Sequence, residues 1–177
     1  MRRLSKILLF VASAFFAASL VVACITDDTG EGDGTIVGVG DTIPDFSVQM
    51  NDGSTITGAM LREGIACIMF FHTGCPDCSK TLSHMQPVYD KYAPEGVKFA
   101  LISREEPQQQ VSAHWSKNGY TMPFSAQSDR SVYNLFATHT VPRVFICKGG
   151  TVQALFTDSP PPTYEQISGE LNKALGK

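Results

Sequence analysis

A short apolar run that leads into a closely spaced cysteine pair limits the folds available to this chain. Residues 65–71 read Ile-Ala-Cys-Ile-Met-Phe-Phe, and Cys75-Pro76-Asp77-Cys78 follows after three residues. A run this short and unbroken is typical of a strand that is covered on both faces. A helix pattern begins at Pro76, because proline is favoured in the first turn of a helix. The sequence therefore predicts a buried strand, a short loop and a helix whose first turn carries cysteines.

The rest of the chain predicts alternating strands and helices. Asn51-Asp52-Gly53 and Lys148-Gly149-Gly150-Thr151 are hairpin signals between extended segments. Parallel neighbours in a sheet need crossover connections, which the intervening helices supply. We expect an α/β fold, with a mixed central sheet flanked by helices and an N-terminal β-hairpin. The expected strands lie over 45–50, 54–57, 65–71, 97–102, 123–126, 143–147 and 152–156. Two helices are expected over 76–92, where Pro87 produces a kink or an early end, and over 107–118, starting with Pro107. A third helix begins at the cap Asp129 and runs to about Phe136, and the last begins at a Thr163–Gln166 capping box.

The spacing of Cys75 and Cys78 indicates redox chemistry. Two cysteines three positions apart in the first turn of a helix lie on one face, so their sulfurs can form a disulfide with little backbone movement. Unpaired N–H groups and the helix dipole stabilise a thiolate at the first position. Cys75 is therefore the expected nucleophile, which forms a mixed disulfide with a substrate. Cys78, one turn further along, is the expected resolving cysteine.

Two other interpretations of the cysteine pair are a structural disulfide and half of a zinc site. Zinc usually has four protein ligands in a structural site. The sequence contains neither a second Cys-x-x-Cys nor a paired-histidine motif. We therefore expect no metal and no cofactor.

Two segments together resemble the thioredoxin superfamily: Phe70-Phe71-His72-Thr73-Gly74-Cys75-Pro76-Asp77-Cys78 and Thr140-Val141-Pro142-Arg143-Val144-Phe145-Ile146. In that superfamily a cis-proline loop faces the cysteine pair. The resemblance implies that Pro142 is cis and that Val141 pairs with substrate backbone. The long separation of the two segments and the opening Gly40-Asp41-Thr42-Ile43-Pro44-Asp45-Phe46 resemble the TlpA-like (redoxin) branch. This implies a thioredoxin-like fold, with a helix and strand inserted between the two motifs, and thiol–disulfide oxidoreductase activity.

The chain departs from that resemblance at three positions near the cysteines. Gly74 replaces a frequent tryptophan, Met69 replaces a buried acid, and Thr81 replaces a glutamate of some TlpA-like reductases. A dedicated proton acceptor for Cys78 is therefore not evident. The candidates for tuning the reactive thiol are Pro76, Asp77, His72, His139 and Arg143. For His72 and His139 the favoured interpretation is an ordinary exposed loop residue. Arg143 either contacts an acidic substrate segment or is an ordinary solvated arginine.

The remaining cysteines, the tryptophan and two of the histidines are expected to have structural roles. Cys67 and Cys147 fall within apolar strands, where cysteine behaves as a small hydrophobic residue. The family topology makes their strands antiparallel neighbours, so a second disulfide is an alternative that needs Cα atoms closer than about 7 Å. Trp115 is expected to pack the inserted helix, and His84 and His114 to lie on helices without partners.

The N-terminus is typical of a bacterial export signal. Arg2, Arg3 and Lys6 precede an apolar run over 7–22, which is short for a membrane span of about 20 residues. Leu20-Val21-Val22-Ala23-Cys24 resembles a lipobox, which implies cleavage before Cys24 and acylation of its sulfur and new amine. The alternatives are an uncleaved signal anchor and a soluble secreted protein. The expected division is a signal peptide over 1–23, a lipid-anchored flexible tether over 24–38 and a thioredoxin-like domain over 39–177.

These features predict where the protein acts and with which partners. We expect the cell envelope, at the periplasmic face or the outer-membrane surface, because the N-terminus resembles that of an exported lipoprotein. The acidic residues that follow Cys24 are either an ordinary solvated spacer or, as a resemblance implies, a surface-export signal. The formal net charge is −3 and becomes more negative once residues 1–23 are removed. That balance argues against nucleic acid as a partner. The expected partners are protein disulfides or thiols, a membrane or periplasmic electron donor, and the membrane itself.

Three functions compete at this point. The leading hypothesis is a reductant of protein disulfides. A peroxiredoxin-type peroxidase is an alternative, although Ile68 is not the proline that such sites carry and Thr73 lies one place too close to Cys75. A redox-inactive binding lipoprotein is the third, because a fold does not determine a function.

Overall fold

The structure is a computed structural model that describes residues 32–177. The predicted export signal, Cys24 and most of the predicted tether lie outside the described residues. Within residues 32–177, no helix is both long and apolar enough to cross a membrane. The elements, in chain order, are β1 (Ser47–Gln49), β2 (Thr55–Thr57), α1 (Gly58–Leu61), β3 (Ile65–Phe71), α2 (Pro76–Tyr92), β4 (Lys98–Ser103), α3 (Gln108–Asn118), β5 (Phe124–Ser125), a 3₁₀ helix (Tyr133–Leu135), β6 (Arg143–Lys148), β7 (Thr151–Phe156) and α4 (Tyr164–Leu175).

The apolar run is the middle strand of a five-stranded mixed sheet, which confirms the predicted α/β fold. The strand order is β5-β4-β3-β6-β7, with β3 parallel to β4 and antiparallel to β6. Residues 66–71 are almost completely buried because β3 is covered on both faces. Cys67 contacts Met85 of α2 on one face, while Phe70 packs against Phe136 and Phe145 on the other. β1 and β2 form the predicted separate hairpin.

Three boundary predictions differ from the structure. Pro87 does not end α2, which continues to Tyr92. Pro107 lies one residue before α3, with the extended backbone angles of an N-cap. Asp129 caps no helix, because its carboxylate accepts the Ser131 N–H within a turn, at 2.8 Å. Only the single turn of 3₁₀ helix follows, and it has no side-chain cap.

Cys67 and Cys147 lie on neighbouring antiparallel strands but do not face each other. In the register of β3 and β6, Cys147 pairs with Ala66, and Cys67 pairs with Ile146. Successive side chains of a strand point to opposite faces, so the two sulfurs lie on opposite sides of the sheet. Both are buried free thiols, and burial raises the pKa of Cys147 to about 12. The alternative of a second disulfide is therefore wrong.

The predicted packing role of Trp115 is confirmed, and one histidine prediction is wrong. The Trp115 ring packs against Phe71 and Phe124, and its Nε1 donates to the Met122 carbonyl at 2.8 Å. His84 has a partner after all, since its Nδ1 lies 3.1 Å from the Pro162 carbonyl.

Residues that the sequence assigns to the flexible tether pack against the domain. We call residues 33–37 the N-terminal strap. The backbone N–H groups of Ile36 and Val37 both donate to the Phe136 carbonyl, at 2.9 and 3.0 Å. Val37 is buried in the core. The folded part therefore begins before Val39, because this segment satisfies its backbone on the domain.

Candidate active site

Cys75 caps the N-terminus of α2 with its sulfur. Its backbone is extended, and its Sγ accepts a hydrogen bond from the Cys78 N–H at 3.3 Å. Pro76 occupies the first helical position, where its missing N–H removes no helical hydrogen bond. The side chain of Cys75 is half-buried. The sulfur of Cys75 thus lies at the N-terminus of the helix, bonded to the Cys78 N–H, and remains partly exposed to solvent and to a partner.

Cys78 lies one turn deeper and is fully buried. Burial raises the pKa of its thiol far above the usual range, and the hydrogen bond with Cys75 acts in the same direction. The His72 N–H, 3.4 Å from the Cys78 sulfur, and the charge of Arg104 oppose that increase. At neutral pH, Cys78 is thus a protonated thiol beside a more accessible sulfur.

The Val141–Pro142 segment lies directly opposite the cysteines, as the resemblance implies. The Val141–Pro142 peptide bond is cis. The Val141 carbonyl is 3.5 Å from the Cys75 sulfur, in a geometry that lets the thiol donate to it. Among residues 32–177, no backbone group bonds to the Val141 N–H. The segment opposite Cys75 thus carries one backbone donor without a backbone partner in the described part of the chain.

Thr140, just before this peptide, has an unusual backbone conformation. Its φ of 75° lies in the left-handed region, which a β-branched residue rarely adopts. The carbonyl of Thr140 accepts from the Tyr133 hydroxyl at 2.7 Å and from Nε of Arg143 at 3.2 Å. These two bonds hold the loop in a conformation that its own residues disfavour.

Arg143 is neither solvated nor exposed to a substrate, so both interpretations from the sequence are wrong. It is completely buried, because it begins β6 and pairs with Phe70 of the central strand. Its guanidinium donates to the carbonyls of its own loop and to residues 33–35 of the N-terminal strap. The position directly after Pro142, at the start of a buried strand, is the signal that could have predicted this burial.

The other tuning candidates surround the loop between β3 and α2. His72 is half-buried, and its Nδ1 accepts from the Gly74 N–H at 3.0 Å. Pro76 and Asp77 are exposed at the first turn. His139 is exposed and contacts Thr138 through Nδ1 at 3.0 Å. That these residues tune the reactive thiol stays a prediction.

A buried carboxylate beside the cysteine loop was missed by sequence reasoning. Glu106 is 1% exposed and lies between β4 and α3. It accepts from the N–H of Thr73 at 2.9 Å, from the Thr73 hydroxyl, and from Gln110 at 3.0 Å. It also lies 3.7 Å from Nδ1 of His72. Met69 is buried and apolar, so the buried carboxylate nearest to this loop comes from the segment after β4 and contacts the loop rather than a sulfur.

Arg104, at the end of β4, was missed as well. Its charge favours the thiolate of Cys78, and its guanidinium lies over the Tyr133 ring at 5.7 Å. Within the part of the chain that the structure describes, its buried Nε has no hydrogen-bond partner. Both missed residues follow a strand that is parallel to β3. The carboxyl ends of parallel strands meet at one edge of a sheet, which is the signal that could have placed them near the cysteines.

Comparison with known proteins shows the family and the fold of this chain. The model of the AhpC/TSA family matches residues 39–155, well over half of the chain. The thiol-disulfide oxidoreductase ResA of Geobacillus thermodenitrificans is 27% identical over 124 residues, which cover 70% of this chain and 71% of that protein.

Two solved structures share the fold. A thiol:disulfide interchange protein of the thioredoxin family from Chlorobium tepidum is 22% identical, with a TM-score of 0.67, covering 77% of this chain and 97% of that one. Peroxidoxin BcpB from Mycobacterium tuberculosis is 15% identical, with a TM-score of 0.64, covering 79% of this chain and 97% of that one. The chain therefore belongs to the AhpC/TSA family, as a redoxin of the thioredoxin superfamily.

Proposed function

We propose that this chain, a thiol–disulfide oxidoreductase of the thioredoxin superfamily, reduces disulfides of exported proteins through Cys75 and Cys78. The observation that carries the proposal is the contrast between the two sulfurs. Cys75 is accessible at a helix N-terminus, and Cys78 is buried with a raised pKa. A nucleophile needs access and a stabilised thiolate, whereas a resolving thiol needs only to reach the first sulfur.

In the proposed reaction, the Cys75 thiolate attacks one sulfur of a substrate disulfide. The substrate S–S bond breaks, its other sulfur leaves as a thiolate that takes up a proton, and a mixed disulfide joins Cys75 to the substrate. Cys78 then loses its proton to water and attacks the Cys75 sulfur. The disulfide between Cys75 and the substrate breaks, and the substrate sulfur leaves as a thiolate that takes up a proton, so the substrate is released as a dithiol. Two electrons have then passed from the cysteine pair to the substrate. A thiol electron donor supplies two new electrons to the protein by reducing the Cys75–Cys78 disulfide.

The segment over Val141 and Pro142 supplies the proposed substrate contact. An extended polypeptide that carries the target disulfide can donate to the Val141 carbonyl and accept from its N–H. The Val141 carbonyl lies 3.5 Å from the Cys75 sulfur. Two backbone hydrogen bonds align the substrate without selecting side chains. We therefore propose protein disulfides, rather than one small molecule, as the substrate class.

The first test is reduction of insulin disulfides by the purified chain, with dithiothreitol as electron donor. We expect wild-type protein to accelerate the reaction, and Cys75→Ser to be no faster than the uncatalysed control. Cys78→Ala should accumulate a mixed disulfide on Cys75 that mass spectrometry detects. The matched control is Cys147→Ala, a buried thiol outside the site, which should keep its activity. Equal rates for wild type and Cys75→Ser would contradict the proposal, and steady consumption of peroxide by the wild type would favour the peroxidase alternative.

We also propose that the protein acts at the cell envelope, anchored by lipid on Cys24. The support is the sequence alone: the basic start, the apolar run over 7–22 and the lipobox-like Leu20-Val21-Val22-Ala23-Cys24. More than one acyl chain gives stable membrane attachment. Cells that express the full chain should incorporate labelled palmitate into it and retain it in the membrane fraction. Cys24→Ser should lose the label, and a label that persists in this variant would contradict the proposed anchor.

A further inference from the structure

The guanidinium of Arg143 is a buried charge that must be fully paired. It has no exposed surface, and an arginine stays charged at any physiological pH. Burying a charge without hydrogen bonds is unfavourable by several kcal/mol, so its partners determine whether the surrounding conformation is stable.

The partners of this guanidinium come from two different segments. Within its own loop, Arg143 donates to the carbonyls of Thr140 and His139, each at 3.2 Å. From the N-terminal strap, it contacts the Thr35 hydroxyl at 2.6 Å and the Asp33 carbonyl. The Asp33 carboxylate adds an opposite charge at 3.6 Å. Without the strap, the guanidinium would lose about half of its bonds.

The strap is shaped to lie against this loop. The Asp33 side chain accepts from the N–H of Thr35 at 3.0 Å, which forms a local turn. Gly34 has a φ of +74°, and a side chain there would lie 2.5 Å from the Thr138 hydroxyl. The Thr138 N–H donates to the Gly34 carbonyl at 2.8 Å. The positive φ and the short contacts with the side chains of Thr138 and His139 both favour glycine at position 34.

We propose that the N-terminal strap positions the substrate-binding segment from outside the substrate site, and that Arg143 is a positioning residue, which transmits the strap contact to Val141. Arg143 and Tyr133 hold the Thr140 carbonyl in its disfavoured conformation. The next residue, Val141, presents its carbonyl to Cys75. The strap thus fixes the backbone groups that an extended polypeptide would use. This inference rests on the proposed function and concerns the recognition of protein disulfides.

The strap should therefore affect protein substrates and small disulfides differently. A polypeptide needs the aligned backbone at Val141, whereas a small aromatic disulfide needs only the Cys75 sulfur. Loosening the strap should weaken the binding of a polypeptide substrate and leave the reaction with a small aromatic disulfide unchanged. The substrate of either class still reacts at the same cysteine pair.

Thr35→Val tests the inference, because it removes one hydroxyl from an exposed residue and keeps the side-chain shape. We expect KM for insulin to rise by at least about threefold, because a hydrogen bond to a charged group is lost. kcat for insulin and the reduction rate of 5,5′-dithiobis(2-nitrobenzoate) should not change. Hydrogen exchange should become faster in peptides that cover residues 138–141 and stay constant in peptides from β3.

Two further variants make the outcome specific. Thr35→Ser keeps the hydroxyl and should restore wild-type KM and exchange. Thr55→Val, an exposed threonine on β2, should match the wild type in every assay. If KM for insulin and hydrogen exchange are both unchanged in Thr35→Val, the inference about the strap is overturned. The proposed function would still stand in that case, provided that the wild type reduces insulin. An inactive wild type would instead contradict the proposed function.

Discussion

A buried carboxylate stabilises the loop that leads into the cysteine pair. Glu106 accepts three hydrogen bonds, two of them from Thr73. The loop residue before Thr73, His72, directs its backbone N–H toward the Cys78 sulfur at 3.4 Å. Because adjacent peptide groups move together, the bonds at Thr73 also fix the donor that faces Cys78. Glu106 therefore acts on the site through the loop rather than by touching either sulfur.

A double-mutant cycle between Glu106→Gln and Thr73→Val tests this coupling. We expect each single variant to lower the free energy of unfolding. The double variant should lose less than the sum of the two, with a coupling of about 1 kcal/mol, because both substitutions remove one shared interaction. Urea denaturation measures all four proteins. The control is Glu105→Gln, whose partly exposed carboxylate lies 3.6 Å from Arg104 and should change stability little. Strictly additive losses would contradict the coupling.

At the scale of elements, the sequence predicted a helix end correctly where the capping hydrogen bonds join residues close together in the chain. The capping box of α4 is present as predicted: the Gln166 N–H donates to the Thr163 hydroxyl at 3.4 Å, and the Thr163 N–H donates to the Gln166 side chain at 2.9 Å. Asp129 carries an equally good signal but bonds to Ser131 in a turn. A capping residue makes a helix end favourable, but the buried face of the following residues decides whether the helix continues.

Thr163→Ala should therefore weaken α4 by removing the side-chain half of the capping box. We expect a loss of about 1 kcal/mol in the free energy of unfolding, since an N-cap substitution by alanine typically has that effect. Ile167 and Leu171 bury the same helix against the core, so the loss should appear in the global unfolding transition. Thr163→Ser keeps the hydroxyl and should retain nearly wild-type stability. Equal stability of the alanine and serine variants would show that the cap does not contribute.

At the scale of the whole molecule, the sequence predicted what depends on residues close together in the chain. The buried strand, the cysteine pair at the start of α2 and the terminal hairpin follow from local periodicity and turn residues. The roles of Arg143, Glu106 and the N-terminal strap depend on contacts between distant segments. Residues 33–35 contain no apolar side chain, so composition indicated a flexible tether. Only the fold reveals that a buried guanidinium gives their polar groups a partner.

Stability as a function of pH reports on the burial of a second kind of polar group, the ring of His114. Burial lowers the pKa of His114, with Lys117 acting in the same direction and Glu106 opposing it. The Nε2 atom is buried without a hydrogen-bond partner among residues 32–177. The unfolded chain therefore takes up a proton at this side chain at higher pH than the folded chain does. The contribution to stability is complete above the usual histidine pKa of about 6.5 and is lost as pH falls through the lower folded value.

His114→Gln should remove this dependence, because the amide does not titrate. Between about pH 6.5 and pH 5, where histidine rather than most carboxylates titrates, the wild type should lose stability more steeply than the variant. Above pH 7 the two curves should run parallel, which gives an internal control for any constant loss caused by the substitution. Urea denaturation at a series of pH values measures both slopes. Identical slopes below pH 6.5 would mean that His114 titrates alike in the folded and unfolded chain, and that burial of its ring does not couple folding to protonation.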